Sequence, residues 1–245
     1  MLQKRKVVVT GLGVLAPNGN TTSEYWKALT AGKSGIGPIE SFDASDLSVR
    51  IAGELKDFDP QSFFDRKELR KLDPFTIYHL VSSEEAIKNS GIDLDKTDGD
   101  RIGVIIGTGI GGIQTLENEH GVFSERGQRR VSPFFVPRFI PNIASGNLAI
   151  KFGLRGPNHT VISACASGTD AIGCAMRTIQ YGDADVMITG GTEASITGLT
   201  ISGFGNIKAL STRNDDPTAA SRPFDAERDG FVLGEGAAAL VIEEE

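Results

Sequence analysis

Two cysteines stand nine residues apart in SACASGTDAIGCA, residues 163–175. Cys165 closes an apolar run and precedes a helical pattern. A sulfur placed there feels the free N–H groups and partial positive charge of a helix N-terminus, which favour a thiolate. Ala164, Ala166, Ser167 and Gly168 leave room for a substrate carbonyl, and the Cys165 N–H is available to an oxyanion formed on attack. These are the requirements of a thiol nucleophile. Spacing alone leaves a second reading open, a small residue packed in the core. Cys174, midway along the helical pattern among apolar neighbours, is expected to be a core thiol.

A nucleophile needs proton-transfer partners, and the chain offers three histidines. His79 lies in a helical pattern and reads as a packed or surface residue, and His120 follows an acidic helix. His159 starts the strand that leads to Cys165, six residues before it. Six extended residues span about 20 Å, so His159 is expected to point away from the thiol. Scattered histidines and no C-x2–4-C pair imply no metal site.

GTGIGG, residues 107–112, satisfies G-x-G-x-x-G after a strand and before a helix, as a dinucleotide-binding turn does. That reading requires another parallel strand about 20 residues on, carrying an acid for the ribose. The chain gives ERGQRRVSPFFVP instead. GLGVLA, residues 11–16, is a second imitation, interrupted by Pro17 and Gly19. Close backbone packing at strand ends is the better account of both.

The elements that would position Cys165 are legible as apolar, mostly β-branched runs: 7–11, 102–107, 160–164, 185–190 and 238–243. They lack polar alternation, as strands covered on both faces do, which suits a parallel sheet of an α/β protein. Helices are predicted over 22–35, with Thr22 or Ser23 as cap and Tyr25, Trp26 and Leu29 on one face, and over 72–91, stopped by Gly91. After Cys165, residues Ile172, Ala175, Met176 and Ile179 give the next helix its buried face, and Gly182 ends it. Residues 192–236 show no clean period and read as loops around a site.

At 39% hydrophobic and 23% charged, 245 residues make an ordinary globular chain, with no apolar stretch near the roughly 20 residues of a membrane helix. Gly11, Gly13 and the lack of an A-x-A-like site argue against a secretory signal. Two cysteines make no disulfide framework, so a reducing cytoplasm is expected. The net charge of −7 disfavours nucleic acid. RKELRK (66–71) and RGQRR (126–130) still concentrate positive charge, either as a patch for an acidic partner or as solvated surface.

The strings VVVTGLGVLAPNGN, GTGIGG, SPFFVP, SACASG, YGDADVMITGGTEA, ALSTRNDDP and ASRPFDAERDGFVLGEGA run along almost the whole chain. Together they resemble the β-ketoacyl-[acyl-carrier-protein] synthases of bacterial fatty acid elongation. The resemblance implies the thiolase fold, built from two similar halves that each carry a five-stranded, mostly parallel sheet covered by helices, with residues 1–245 as the N-terminal half. It places the acyl-accepting nucleophile on Cys165. It sets Ile110, Phe134, Phe135 and Pro137 in or beside an acyl pocket completed by a dimer partner. It assigns docking of the acidic carrier protein to Lys67, Arg70, Lys71, Arg129, Arg130 and Lys208, the last a lysine where arginine is common.

The substrates implied are acyl and malonyl thioesters on the carrier's phosphopantetheine, with no further cofactor. The two histidines, the lysine and the second oxyanion donor that the family uses for decarboxylative condensation belong to a second half. The 245 residues are therefore expected to support acyl transfer at most. Two alternatives are a carrier-binding assembly module without condensing activity and a thiolase-type acyl-CoA enzyme; RKELRK favours a protein carrier.

Overall fold

The computed structural model describes residues 4–245. The strands are β1 (Val7–Leu15), β2 (Gly37–Pro38), β3 (Ile51–Ala52), β4 (Ile102–Gly107), β5 (Asn158–Val161), β6 (Val186–Glu193) and β7 (Gly236–Glu244). The short β2 and β3 pair with each other, and the five expected runs form one sheet in the order β1-β7-β6-β4-β5. β4 runs parallel to β5 and β6, while β7 is antiparallel to both β6 and β1. Four strands thus point one way and β7 the other.

The helices are α1 (Thr22–Thr30), α2 (Arg66–Leu69), α3 (Pro74–Ser90), α4 (Ile113–Arg126), α5 (Phe135–Phe139), α6 (Ile143–Phe152), α7 (Ser167–Tyr181) and α8 (Gly198–Asn206). α3 and α6 cover one face of the sheet and α7 the other, and β4 shows why. Val104 and Ile106 point into the α3 side, Ile105 packs with Ala171, Ala175 and Ile179 of α7, and all six β4 residues are buried. Each such aliphatic side chain contributes about 1.5–3 kcal/mol when fully buried.

Glycines set how closely these layers approach. A Cβ on Gly11 would lie 2.1 Å from the Ala86 carbonyl oxygen, and one on Gly13 would lie 1.8 Å from that of Ser82. GLG is therefore the seat of α3 on β1. α3 is anchored at its start by Asp73, a buried carboxylate that accepts from the Phe75 N–H (3.3 Å) and from the N–H and Oγ1 of Thr115 (3.0 and 2.6 Å). Burial pushes its proton affinity up, while the Thr115 hydrogen bonds oppose that shift.

The other end of the sheet is held by charge. Arg5 precedes β1, Arg101 precedes β4 and Asp185 precedes β6, while Glu244 ends the antiparallel β7, so all four meet at one sheet end. Asp185 accepts from Arg101 Nε and Nη2 at 3.0 and 2.7 Å and from Arg5 Nη1 at 2.9 Å, and Arg5 also bonds Glu244 at 2.8 Å.

Several expectations are corrected. The strands are not all covered on both faces: β1 is an edge strand that leaves Val9 55% and Leu12 45% exposed. The third strand lies at 158–161 rather than 160–164, because residues 162–164 leave the sheet for a turn at Ala164. α1 is capped by Thr21, whose side chain accepts from Glu24 N–H, and Gly32 at φ +64° turns the chain before Gly35 is reached. Its buried residue is Ala28, with Trp26 and Leu29 exposed. α7 buries Ala171, Ala175 and Ile179, whereas Met176 is exposed and Ile172 only partly covered. Residues 192–236 contain α8, capped by Thr197, which their glycine and serine content masks. Among the described residues, no helix is long and apolar enough to cross a membrane.

The Asp185 cluster predicts a pH dependence of stability. Arg101, first, and Arg5 hold the Asp185 carboxyl from its ordinary 3.8 down to about 2. A folded-state value below the unfolded one means that the stabilisation is present in full above about pH 4 and is lost as pH falls through 2. Because these side chains are 34–44% exposed, solvent screening keeps the effect to about 1 kcal/mol or less. Asp185→Asn should lower the melting temperature at pH 7 and flatten its fall between pH 4 and 2. Parallel melting curves for the two proteins over that range would remove the cluster from the account.

Candidate active site

Past Val161 the chain leaves β5 and turns into α7 through Ile162–Ala166. Ala164 takes φ +53°, a left-handed conformation that costs a non-glycine residue about 1–2 kcal/mol. Four hydrogen bonds hold it there. Ala166 N–H donates to Ser163 O and Ser167 N–H to Ala164 O, each at 3.2 Å. The buried Ser167 hydroxyl accepts from Ser163 N–H at 2.9 Å and donates to Ala164 O at 2.6 Å. Cys165 rides on this strained turn as a free, exposed thiol two residues before Ser167, the first residue of α7.

Beneath the turn, backbone rests on backbone. A Cβ on Gly107, the last residue of β4, would sit 2.2 Å from the Ser167 carbonyl carbon and oxygen. A Cβ on Gly191 of β6 would sit 3.1 Å from Gly168 Cα. The head of α7 is therefore seated on the ends of β4 and β6. In the rest of GTGIGG, Gly111 adopts φ +75° and a Cβ on Gly112 would meet Arg138 O at 2.6 Å. The chain continues through α4, α5 and α6 before it reaches β5. Packing and turn geometry thus account for these glycines, as close approach at a strand end requires.

Cys165 opens on a cavity of about 620 Å³ walled by Ile110, Tyr25, Phe204, Phe231 and Leu233. The loops of 192–236 that supply Phe231 and Leu233 do border the site. None of the three histidines lines it. His79 is buried within α3, where desolvation lowers its pKa to about 3 and keeps it neutral, and His120 and His159 are exposed. Cys174 is partly buried against the Ile105 cluster.

Two carboxylates in the cavity wall were not singled out from the sequence, Glu193 and Glu235. Glu193 accepts from Gly109 N–H at 2.6 Å, and Glu235 from Leu55 N–H at 2.9 Å and Tyr78 O–H at 3.2 Å. Burial pushes both carboxyls up, against the pull of these donors. The signal for them was GGTEA and LGEGA, where an acid is set among small residues at the end of a strand.

Of the other expected residues, Ile110 shares the cavity with Cys165, whereas Phe134, Phe135 and Pro137 do not line it. Phe134 is 38% exposed, and Phe135 stacks on Phe139 with ring centres 5.8 Å apart. Lys67, Arg70, Lys71, Arg129, Arg130 and Lys208 are all exposed. The Lys71 ammonium stands 6.0 Å from the Phe134 ring centre, which brings the α2 segment beside α5. Among the described residues, no group of three or more metal-ligating side chains comes together.

The family model described as the N-terminal domain of beta-ketoacyl synthase matches residues 4–245. Over 243 residues the chain is 51% identical to the 3-oxoacyl-[acyl-carrier-protein] synthase 2 of a Synechocystis strain, covering 99% of this chain and 58% of that protein. It is also 51% identical to the enzyme of that name from Vibrio cholerae, covering 59% of it. The chain thus spans somewhat over half the length of these curated relatives. The crystal structure of a beta-ketoacyl synthase from Burkholderia phymatum superposes with TM-score 0.87 at 35% identity, covering 99% of this chain and 59% of that one. A type II acyl-carrier protein in complex with its ketosynthase superposes at 0.78 with 29% identity, covering 99% of this chain and 63% of that one.

The seating of α7 gives a direct test. Gly107→Ala forces a methyl group against the Ser167 backbone, an overpacking that costs about 1–3 kcal/mol. Its urea midpoint should fall, and the rate at which iodoacetamide alkylates Cys165 should change with it, since the turn must shift. A variant with wild-type midpoint and wild-type alkylation rate would show that the seat is not tight.

Proposed function

Since the chain belongs to the β-ketoacyl synthase family, we propose that it carries the acyl-accepting site of a 3-oxoacyl-[acyl-carrier-protein] synthase of fatty acid elongation. The observation that carries this reading is Cys165, held exposed on a strained turn at the head of α7 and opening on the Ile110 cavity. The Cys165 sulfur attacks the thioester carbonyl of an acyl group on the carrier's phosphopantetheine. The new C–S bond forms as the bond to the carrier's sulfur breaks, and the proton given up by Cys165 ends on the released carrier thiol. The acyl chain lies in the cavity between Ile110 and the aromatic wall.

Condensation then requires a malonyl thioester to lose carbon dioxide and its carbanion to attack acyl-Cys165, expelling the Cys165 sulfur. The resemblance assigns that step to two histidines and a lysine outside these 245 residues, and the absence of histidine from the cavity wall supports the division.

The carrier docks on Lys67, Arg70, Lys71, Arg129, Arg130 and Lys208. Their exposure on a chain of net charge −7, and the contact of Lys71 with Phe134, support one basic face for an acidic protein. The related ketosynthase solved with its acyl-carrier protein supports the same kind of partner. Phe134, Phe135 and Pro137 do not line this cavity; their assignment to the acyl pocket rests on the resemblance and on completion of the pocket by a second subunit of a homodimer. Two free cysteines accord with a cytoplasmic setting.

Intact mass after incubation with a medium-chain acyl-carrier thioester tests this reading. An acyl increment is expected on wild type and not on Cys165→Ala, and acyl-CoA should give it more slowly. No increment on wild type, or equal labelling of the variant, would remove Cys165 as the acceptor. Lys67→Glu with Arg70→Glu and Lys71→Glu should slow carrier-dependent labelling by about tenfold or more at low salt, with the gap closing at high salt. Labelling by the carrier thioester at an unchanged rate would move docking elsewhere.

A further inference from the structure

GTGIGG resembles a phosphate cradle for a physical reason. The turn after β4 closes on one anion, and that anion is the Glu193 carboxylate. Glu193 Oε2 accepts from Gly109 N–H at 2.6 Å. Thr108 closes the arrangement: its Oγ1 donates to Glu193 Oε1 at 3.4 Å and accepts from Gly111 N–H at 3.2 Å. Successive N–H groups around a residue of positive φ, here Gly111 at +75°, make an anion-binding concavity.

The two sides of this contact differ in how firmly they are held. Glu193 is the last residue of β6, paired with Gly236 of β7, so its backbone is fixed by the sheet. Thr108 still bonds Val161 O of β5 through its N–H (3.3 Å), but residues 109–111 lie beyond the end of β4, and Thr108, Gly109 and Ile110 line the cavity. Gly109 allows the carboxylate to come close, since a Cβ there would lie 2.9 Å from Glu193 Oε2. A rigid acid therefore holds a turn that carries one wall of the cavity.

We propose that Glu193 is a specificity-determining positioning residue, which fixes Ile110 at one depth in the cavity by anchoring the 108–111 turn and so limits the length of acyl chain Cys165 accepts. The proposal rests on the acyl-transfer reading above. Glu193 touches no reacting atom; it acts through Ile110. Without the anchor the turn relaxes, Ile110 withdraws, and longer chains enter. Glutamine keeps one acceptor oxygen for Gly109 N–H but loses the negative charge that the cradle favours, so it should restore part of the effect.

The test compares wild type, Glu193→Ala and Glu193→Gln by two readouts. The first is hydrogen exchange of the Gly109, Ile110 and Gly111 amides, which needs no substrate. Loss of a charge-assisted acceptor should speed it about tenfold in Glu193→Ala and less in Glu193→Gln. The second is the ratio of Cys165 acylation rates with long-chain and short-chain acyl-carrier thioesters, read by intact mass. That ratio should rise about tenfold in Glu193→Ala, with Glu193→Gln between it and wild type. Faster exchange with an unchanged ratio overturns the specificity role, and unchanged exchange overturns the anchor itself. A wild type that takes no acyl group from any thioester overturns the acyl-transfer reading and this role with it, and it is told apart from the other failures because no ratio can then be measured even for wild type.

Discussion

The contact on which the structure depends is between backbones: Gly168 at the head of α7 against Gly191 at the end of β6, and the Ser167 carbonyl against Gly107 at the end of β4. Any side chain at Gly107 would push α7 outward. Because the helix starts so close to the sheet, the residues on its buried face near the start must be small, and they are Ala171 and Ala175; Ile179 fits only two turns further on. The chain arriving from β5 has no length left for a relaxed loop and must reverse within Ile162–Ala166. The positive φ of Ala164 follows from that geometry. The exposed thiol follows from the turn, since the same reversal that strains Ala164 lifts Cys165 clear of both strand and helix.

The same economy of side chains explains the loops. A glycine-rich turn at a strand end leaves N–H groups without ladder partners, and a buried N–H without an acceptor is costly. Proteins that bind phosphates leave such groups to the ligand. Here Glu193 supplies the acceptor from the neighbouring strand, and burial, which penalises its charge, is offset by the donors around it. Glu235 repeats the arrangement at the start of β7, with Leu55 N–H and Tyr78 O–H as its partners. Both acids brace the cavity wall, Glu193 as the last residue of β6 and Glu235 from the residue before β7.

The sheet was legible in the sequence because its central strands are buried on both faces and so read as unbroken apolar runs; β4, with every residue covered, is the extreme case. β1 reads the same way although one of its faces is open, since exposure leaves no mark on a run of valines. The face of α7 was misassigned because periodicity weighs size: Ile172 and Met176 outweigh the alanines that the close approach demands. The neighbours of Cys165 leave a nucleophile and a packed core thiol both open, and only the folded turn shows that the sulfur is exposed and shares a cavity with Ile110. Glu193 and Glu235 were not legible, because a half-buried acid at a strand end is recognisable only once its N–H partners, 84 and 180 residues away, are folded against it.

The division of the molecule into a packed side and an open side bears on how its parts can change. α3 is covered almost all round by β1, β7 and α6, and its buried Ser82 and Ser83 hydroxyls are satisfied within the helix, at His79 O (3.1 Å) and His79 Nδ1 (3.3 Å). Little there can vary without loss of stability. Lys67, Arg129 and Arg130 sit on α2 and on the 128–130 turn, two segments with no buried residues, where charge can be altered at almost no cost to packing. α2 nonetheless has a defined place, since a capping box between Asp65 and Glu68 fixes its start. The surface proposed for the carrier is thus held by local hydrogen bonds, while the thiol proposed as acyl acceptor is held by the core, so the two proposed roles rest on separate sets of interactions.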